Sequence, residues 1–172
     1  DDDPRKATRA FREPPHRRPD DVLDPPMTTE SPLTIGDVRV HHPHEAERRH
    51  IVLGESVAVD IEVTTVDPVV DPQLDIEVTD KEGRVLYHVD TASLELRLGD
   101  LQGPSNVRID IGRIGLLDGE FPLNLKFVER TTGRVLDWKE RAAAFEVINT
   151  TRADGIVALD VSVERSSAPT KP

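Results

Sequence analysis

Residues 121–127 read Phe-Pro-Leu-Asn-Leu-Lys-Phe, with an apolar side chain at every second position. In an extended strand, successive side chains point to opposite faces. The two phenylalanines and the two leucines therefore share one apolar face, whereas Pro122, Asn124 and Lys126 share the other. This pattern predicts a strand that contributes one of its faces to a hydrophobic core.

The stretch from Leu116 to Val147 surrounds this strand and holds three of the four phenylalanines and the single tryptophan. Aromatic side chains contribute the largest buried area per residue, so a chain with so few of them should build its core around them. Gly133 predicts a turn, followed by a short strand that ends at Trp138 and another strand at 144–147. The stretch therefore predicts the centre of a β-sandwich.

Similar alternation on both sides of this stretch predicts further short strands. A break at Gly36-Asp37 indicates a β-bulge, and Asp80 to Gly83 is typical of a hairpin turn. Residues 90–104 are expected to form a loop or a short helix. We predict an all-β, antiparallel, immunoglobulin-like sandwich of about 8–9 strands, whose remaining members are 33–40, 57–63, 74–78, 84–89, 107–111 and 157–163.

The N-terminal residues form a separate compositional block with six prolines between positions 1 and 31. Such a segment cannot bury enough apolar surface to offset its ordering entropy. We expect residues 1–31 to be a disordered linker, 32–165 the sandwich, and 166–172 a tail. Residues 6–13 fit one or two helical turns before Pro14-Pro15. Because the chain begins without methionine, we expect it to be a fragment of a longer protein.

The overall charge and the cysteine count exclude several classes of partner and site. The 172 residues carry a formal net charge of −11 and no cysteine. Nucleic acids and anionic lipids need a basic surface, so neither is an expected partner. Disulfides and thiolate metal sites are excluded, which favours a reducing compartment. No apolar window reaches the length of a membrane span or marks a signal peptide.

Several motifs occur in an order that resembles a known family. They are Asp80-x-x-Gly83-x-x-x-Tyr87, then Thr91, Leu116-Leu117-Asp118-Gly119-x-Phe121-x-Leu123, Gly133-x-x-x-Asp137-Trp138 and Phe145-x-Val147. Over roughly residues 35–163 the chain resembles the carbohydrate-binding C-terminal domain of Wzt-type ATP-binding subunits of polysaccharide ABC exporters, which serve O-antigen export. Asp-Trp followed by Phe-x-Val is the most specific part of this resemblance.

The resemblance implies an immunoglobulin-like sandwich without catalytic activity or cofactor. Such a domain recognises a lipid-linked surface glycan for export, and members of the family tend to dimerise. It would be cytoplasmic, at the inner face of the plasma membrane, with an upstream nucleotide-binding domain and a membrane-spanning exporter subunit as partners. Residues 6–13 resemble the end of that upstream domain, and the Pro-rich block resembles the linker that follows it.

Five residues are candidates for contact with a carbohydrate. Sugar recognition uses flat aromatic faces together with polar groups that hydrogen-bond hydroxyls, and Trp138 and Tyr87 are the only large amphipathic rings. For Trp138, packing in the core is the main alternative. His88 and Asp90 would share one face of a strand, where a solvated edge is the alternative. Thr91, which is part of the family-like motif, completes the candidate site.

Two other readings are open from the residues. The cluster His41-His42-Pro43-His44-Glu45, with His50 nearby, contains competent zinc ligands, but a solvated loop is the better interpretation, and we expect no metal. Asp137 and Glu140 are paired carboxylates in a turn-like stretch without an apolar pocket, so we expect no glycosidase. The principal alternative to glycan binding is a ligand-free dimerisation domain in which the last strand, 157–163, adds to a partner's sheet.

Overall fold

The strands of the protein form two sheets that pack face to face. The computed structural model describes residues 31–45, 47–48 and 50–163. One sheet has the order β1-β3-β6 and the other the order β2-β8-β7-β4-β5. The strands are β1 (Leu33–His41), β2 (His50–Val52), β3 (Val57–Thr65), β4 (Gln73–Thr79), β5 (Val85–Asp90), β6 (Pro104–Ile111), β7 (Gly119–Val128) and β8 (Val135–Ile148).

Alternating side chains of the two central strands build the core between the sheets. In β7 the apolar positions of the 121–127 repeat are all buried, and Phe127 is fully enclosed. Opposite it, the valines and isoleucine of β3 at positions 57–63 are buried, while Glu62 points to solvent. Phe121 and Phe145 lie side by side, with ring centroids 5.7 Å apart. The sandwich predicted from residues 121–127 is thus confirmed.

Local irregularities predicted from the sequence are also present. The register between β1 and β3 shifts between Ile35 and Val38, which confirms the bulge at Gly36-Asp37. A β-carbon at Gly36 would lie 3.3 Å from the carbonyl oxygen of Glu62, so the bulge brings the two backbones close together. Gly83 and Gly133 close the two predicted turns with φ of 81° and 73°.

Three predictions about the strands need correction. The two short strands expected at 138 and 144–147 are one strand, β8, and β2 was not predicted. β2 pairs with β8 in parallel, so the sheet is not wholly antiparallel. Residues 91–103 form a loop with turns, which is one of the two alternatives expected for 90–104. The expected strand at 157–163 makes one bridge, between Val157 and Leu116, and is otherwise irregular because no neighbouring edge within the described residues pairs with it.

The predictions for the linker (1–31), the helical turns at 6–13 and the tail (166–172) concern residues that lie outside the described ranges, apart from Ser31.

Side chains of β8 fasten the beginning of β1 to the larger sheet. The backbone N–H of Ile35 donates to Asp137 Oδ2 over 2.7 Å, and Lys139 Nζ donates to the carbonyl of Gly36 over 2.6 Å. The hydroxyl of Ser31 donates to the carbonyl of Leu136. The bonds to Ile35 and Gly36 satisfy backbone groups at the β1 bulge, and the bond from Ser31 satisfies a carbonyl of β8.

Candidate functional site

The outward-pointing side chains of β4, β5, β7 and β8 form a continuous polar surface, here called the outer face. Since Leu74, Ile76 and Leu125 point to the core, their sequence neighbours on the same strands point outward. Across the sheet, the paired positions run Trp138 to Lys126 to Asp75 to Asp90 in one row, and Asn124 to Glu77 to His88 in the next.

Trp138 lies on the outer face and is half-buried. It pairs with Lys126 of β7, and it is absent from the hydrophobic cluster between the sheets. The interpretation of Trp138 as a core residue is therefore wrong. Its neighbour Asp137 takes the inward position, opposite Phe127, where it accepts the hydrogen bond from Ile35. The indole is thereby turned toward the polar side of the sheet.

His88 and Asp90 share one face of β5, as the alternation predicted, and this is the outer face, which also carries Trp138. His88 pairs with Glu77, and its Nε2 lies 3.9 Å from Asp75 Oδ2. Asp90 Oδ1 accepts a 2.8 Å hydrogen bond from the backbone N–H of Ser93. That bond holds the pKa of the Asp90 carboxyl below its usual range, so Asp90 is an anionic acceptor at neutral pH.

An ion pair between a buried carboxylate and a half-buried ammonium occupies the centre of the outer face. Asp75 is only 7% exposed, and its Oδ2 lies 2.7 Å from Lys126 Nζ. Its Oδ1 accepts a 2.8 Å hydrogen bond from the Gln73 amide. The pair fixes the Lys126 side chain next to Trp138, so the polar surroundings of the indole are ordered before any ligand arrives.

The other two candidates lie elsewhere. Tyr87 is 51% exposed but pairs with Val78, whose side chain points to the core, so the phenol lies on the opposite side of β5 from His88. Thr91 is 6% exposed, and its hydroxyl accepts the N–H of Leu74 over 3.0 Å. The structure therefore places Trp138, His88 and Asp90 on the same face of the sheet, with β7 and β4 between Trp138 and the other two, and separates Tyr87 and Thr91 from them.

A wide bulge in β8 interrupts the outer face opposite Asn124. Leu123 pairs with Ala143 but Leu125 pairs with Lys139, so three residues of β8 oppose one of β7. Arg141 in this bulge has a φ of 48°, and its N–H donates to Asn124 Oδ1 over 2.9 Å. The Arg141 guanidinium reaches the turn after β4 and donates to the carbonyl of Lys81 over 2.9 Å.

Comparison with known proteins identifies the family. The family model described as the Wzt C-terminal domain matches residues 29–159. The chain belongs to the Wzt C-terminal domain family. A crystal structure of the C-terminal domain of Wzt superimposes with a TM-score of 0.69 at 13% identity, covering 79% of this chain and 85% of that one. The resemblance drawn from the sequence motifs is confirmed, and so is the all-β sandwich.

Membership makes this chain a domain of the ATPase subunit of an O-antigen ABC transporter. More distant structures include a β-glucuronidase of glycoside hydrolase family 2, with a TM-score of 0.47, 15% identity and coverage of 67% of this chain and 13% of that one. A CARDB domain from Pyrococcus furiosus gives a TM-score of 0.41 at 14% identity, covering 72% of this chain and 99% of that one. No curated protein sequence matches the chain.

The histidine cluster of this Wzt C-terminal domain is more ordered than a solvated loop. His41 closes β1, and its Nε2 lies 2.9 Å from Asp60 Oδ2, while its Nδ1 contacts the His42 carbonyl. Both contacts raise the pKa of His41, and the contact with the His42 carbonyl has the larger effect. His42 is buried. Within the described residues, no three histidine or carboxylate side chains are arranged to hold a metal ion.

The described part of the chain also contains no helix that is long and apolar enough to cross a membrane.

The carboxylates considered for glycoside hydrolysis lie within β8 rather than in a turn. Asp137 points inward and is hydrogen-bonded to the backbone of Ile35, whereas Glu140 is exposed in the bulge. The two carboxylates therefore do not face a common cleft.

Several residues of the outer face were not among the candidates predicted from the sequence. Asp75 and Glu77 occupy the polar positions of β4, an alternating strand. Asn124 and Lys126 were recognised only as part of the polar face of β7. Alternation showed that each pair shares a face of its own strand, but strand order was needed to place both pairs beside His88 and Trp138.

Proposed function

We propose that this Wzt C-terminal domain is a non-catalytic carbohydrate-binding module that recognises a lipid-linked surface glycan for export. The observation that carries the proposal is the half-buried Trp138 on the outer face, with the Lys126–Asp75 pair on one side of it. An indole offers a flat apolar surface for the C–H face of a sugar ring, and the flanking groups supply hydrogen-bond donors and acceptors.

The module acts by recognition rather than chemistry. It engages the glycan in the cytoplasm, at the inner face of the plasma membrane, and conveys occupancy to the upstream ATPase domain and to the membrane-spanning exporter subunit. His88, Asp90 and Trp138 form the contact surface. Asp90 accepts hydrogen bonds from sugar hydroxyls, because its carboxylate is ionised at neutral pH and is held in place by the Ser93 N–H.

Replacing Trp138 by alanine should weaken glycan binding at least tenfold, which corresponds to about 1.4 kcal/mol. The probe is the delipidated O polysaccharide of the source organism, titrated calorimetrically. Tyr87→Ala is the matched control, because Tyr87 is an exposed ring on the other side of β5. Failure of the unaltered domain to bind would refute the proposal. Equal losses of glycan affinity in the Trp138 and Tyr87 variants would show that the outer face is not the binding site.

A second candidate function is dimerisation, alone or together with glycan binding. Residues 157–163 alternate apolar and other side chains, and Leu159 and Val161 are 80% and 81% exposed. Such a segment is suited to pairing with the sheet of a second copy.

Leu159→Lys combined with Val161→Lys should convert a dimer to a monomer, because a lysine ammonium resists burial in an apolar interface. Sedimentation equilibrium measures the mass. The control is Val66→Lys with Val70→Lys, which places the same charges on two other exposed valines. A monomeric unaltered domain, or a dimer that tolerates the lysines at 159 and 161, would reject this function.

A further inference from the structure

The far end of the outer face, beyond the β8 bulge, contains a depression that the proposed site does not use. It has a volume of about 460 Å³, and its lining includes Lys81, Glu120, Ala144 and Glu146. A smaller depression of about 290 Å³ adjoins it, lined by Pro122 and Arg141 among others. Pockets that bind small ligands have volumes of this order.

The depression exists because of side-chain size and because of the bulge. Pro122 and Ala144 are paired across β7 and β8 on the outer face, and neither projects far from the sheet. Arg141 rises beside them from the bulge and crosses to the carbonyl of Lys81. The depression therefore has a shallow, apolar floor. The Arg141 guanidinium lies along one side of it, and the charged side chains of Lys81, Glu120 and Glu146 lie around the rest.

The charges at the rim are unusual for a purely structural surface. Glu120 and Glu146 are directly opposite each other on neighbouring strands, an arrangement of like charges that destabilises a sheet. Neither carboxylate makes a side-chain hydrogen bond or ion pair within the described residues, and the same holds for the Lys81 ammonium. Two acceptors and one donor thus remain available around the apolar floor.

Resting on the proposed function, we propose that this depression is a second subsite for the same glycan chain and that it takes a neutral pyranose unit. Ala144, which lines both depressions, together with the edge of Pro122 in the smaller one, would contact the apolar face of the ring, and the polar groups of the rim would hydrogen-bond its hydroxyls. At this rim the charges of Glu120 and Glu146 balance those of Lys81 and Arg141, and Arg141 already donates to the Lys81 carbonyl, so no excess positive charge is available to attract a carboxylated, sulfated or phosphorylated sugar.

The two subsites are too far apart for one sugar ring. Lys126, the partner of Trp138, lies four residues along β7 from Pro122, the partner of Ala144, which is roughly 13 Å at the rise of a strand. A glycan of several units can reach both ends, whereas a single unit cannot. Affinity should therefore rise with glycan length until the chain spans the bulge.

The test uses size fractions from partial hydrolysis of the delipidated O polysaccharide of the source organism, titrated against the whole chain. Ala144→Leu fills the floor and should weaken binding of long fractions at least fivefold while leaving the shortest binding fraction unchanged. Lys81→Ala should also weaken the binding of long fractions without changing that of the shortest one. The matched control is Ala153→Leu, at an exposed position outside the depression, and it should change neither.

The outcomes separate the two proposals. If Trp138→Ala weakens all fractions but the Ala144 and Lys81 variants bind every fraction like the unaltered domain, the second subsite is rejected and the module function stands. If no fraction binds the unaltered domain, both are rejected. Stronger binding of a uronic-acid-containing fraction than of a neutral one of equal length would overturn the assignment to a neutral sugar.

Discussion

Phe127→Ala should lower the free energy of unfolding by about 3–5 kcal/mol. Phe127 is 0% exposed and is among the largest fully buried side chains, in the strand that pairs with both β4 and β8. Truncation loses the transfer free energy of the ring and leaves a cavity that two hydrogen-bonded neighbours cannot collapse to fill. Because domains of this size are stable by only about 5–15 kcal/mol, much of the stability would disappear.

Urea unfolding followed by circular dichroism measures the change. Val70→Ala is the control, since Val70 is exposed, and its effect should stay within about 0.5 kcal/mol. A loss below about 1 kcal/mol for Phe127→Ala would contradict the position of β7 at the centre of the core.

Lys126→Met should be the next most damaging change, costing about 2 kcal/mol. It keeps the aliphatic stem but removes the ammonium 2.7 Å from Asp75, which is buried by its neighbours on the outer face. The carboxylate is then left with the Gln73 amide and a histidine at 3.9 Å. Removing one partner of a buried pair is costly because the remaining charge is poorly solvated.

A double-mutant cycle tests this explanation directly. Asp75→Asn removes the charge that Lys126 compensates, so the double variant should be less destabilised than the sum of the two single variants. Arg39→Met is the control, because the Arg39–Glu62 pair is equally short, at 2.6 Å, but exposed. It should cost less than about 1 kcal/mol. Strict additivity in the cycle would show that Lys126 does not compensate Asp75.

The sequence predicted the parts of the fold that depend on alternation. The strands around Val59, Leu74 and Phe121 were recognisable because every second side chain is apolar. β8 was divided into two short strands because its middle carries the bulge at Arg141, where the period of two is lost. Irregular pairing with β7 also determines which face of the sheet Trp138 occupies. The register between β7 and β8 shifts beside Leu136, so Asp137 faces inward and Trp138 faces outward. Such a slip depends on a neighbouring strand, which a local pattern cannot reveal.

The candidate site was predictable to a similar extent. His88 and Asp90 were correctly placed on one face because they are two residues apart in a strand. Thr91 was selected from a family-like motif, yet its hydroxyl serves the backbone of Leu74. Residues 157–163 have the pattern of a strand, but beyond the bridge between Val157 and Leu116 they lack a neighbouring edge in the described chain. The pattern shows which side chains are apolar, and only a partner can determine whether they are covered.

The attachment of β1 to β8 has a consequence for how the chain folds. The bonds from Ser31, Ile35 and Gly36 to β8 join residues 105, 102 and 103 positions apart in sequence. At a synthesis rate of roughly 5–20 residues per second, about 5–20 s separate the emergence of Ile35 from that of Asp137. During that interval the bulged end of β1 lacks its final partners and exposes unpaired backbone groups. β1 can pair with β3 soon after synthesis, but the bonds that fasten its bulged end can form only once β8 has emerged.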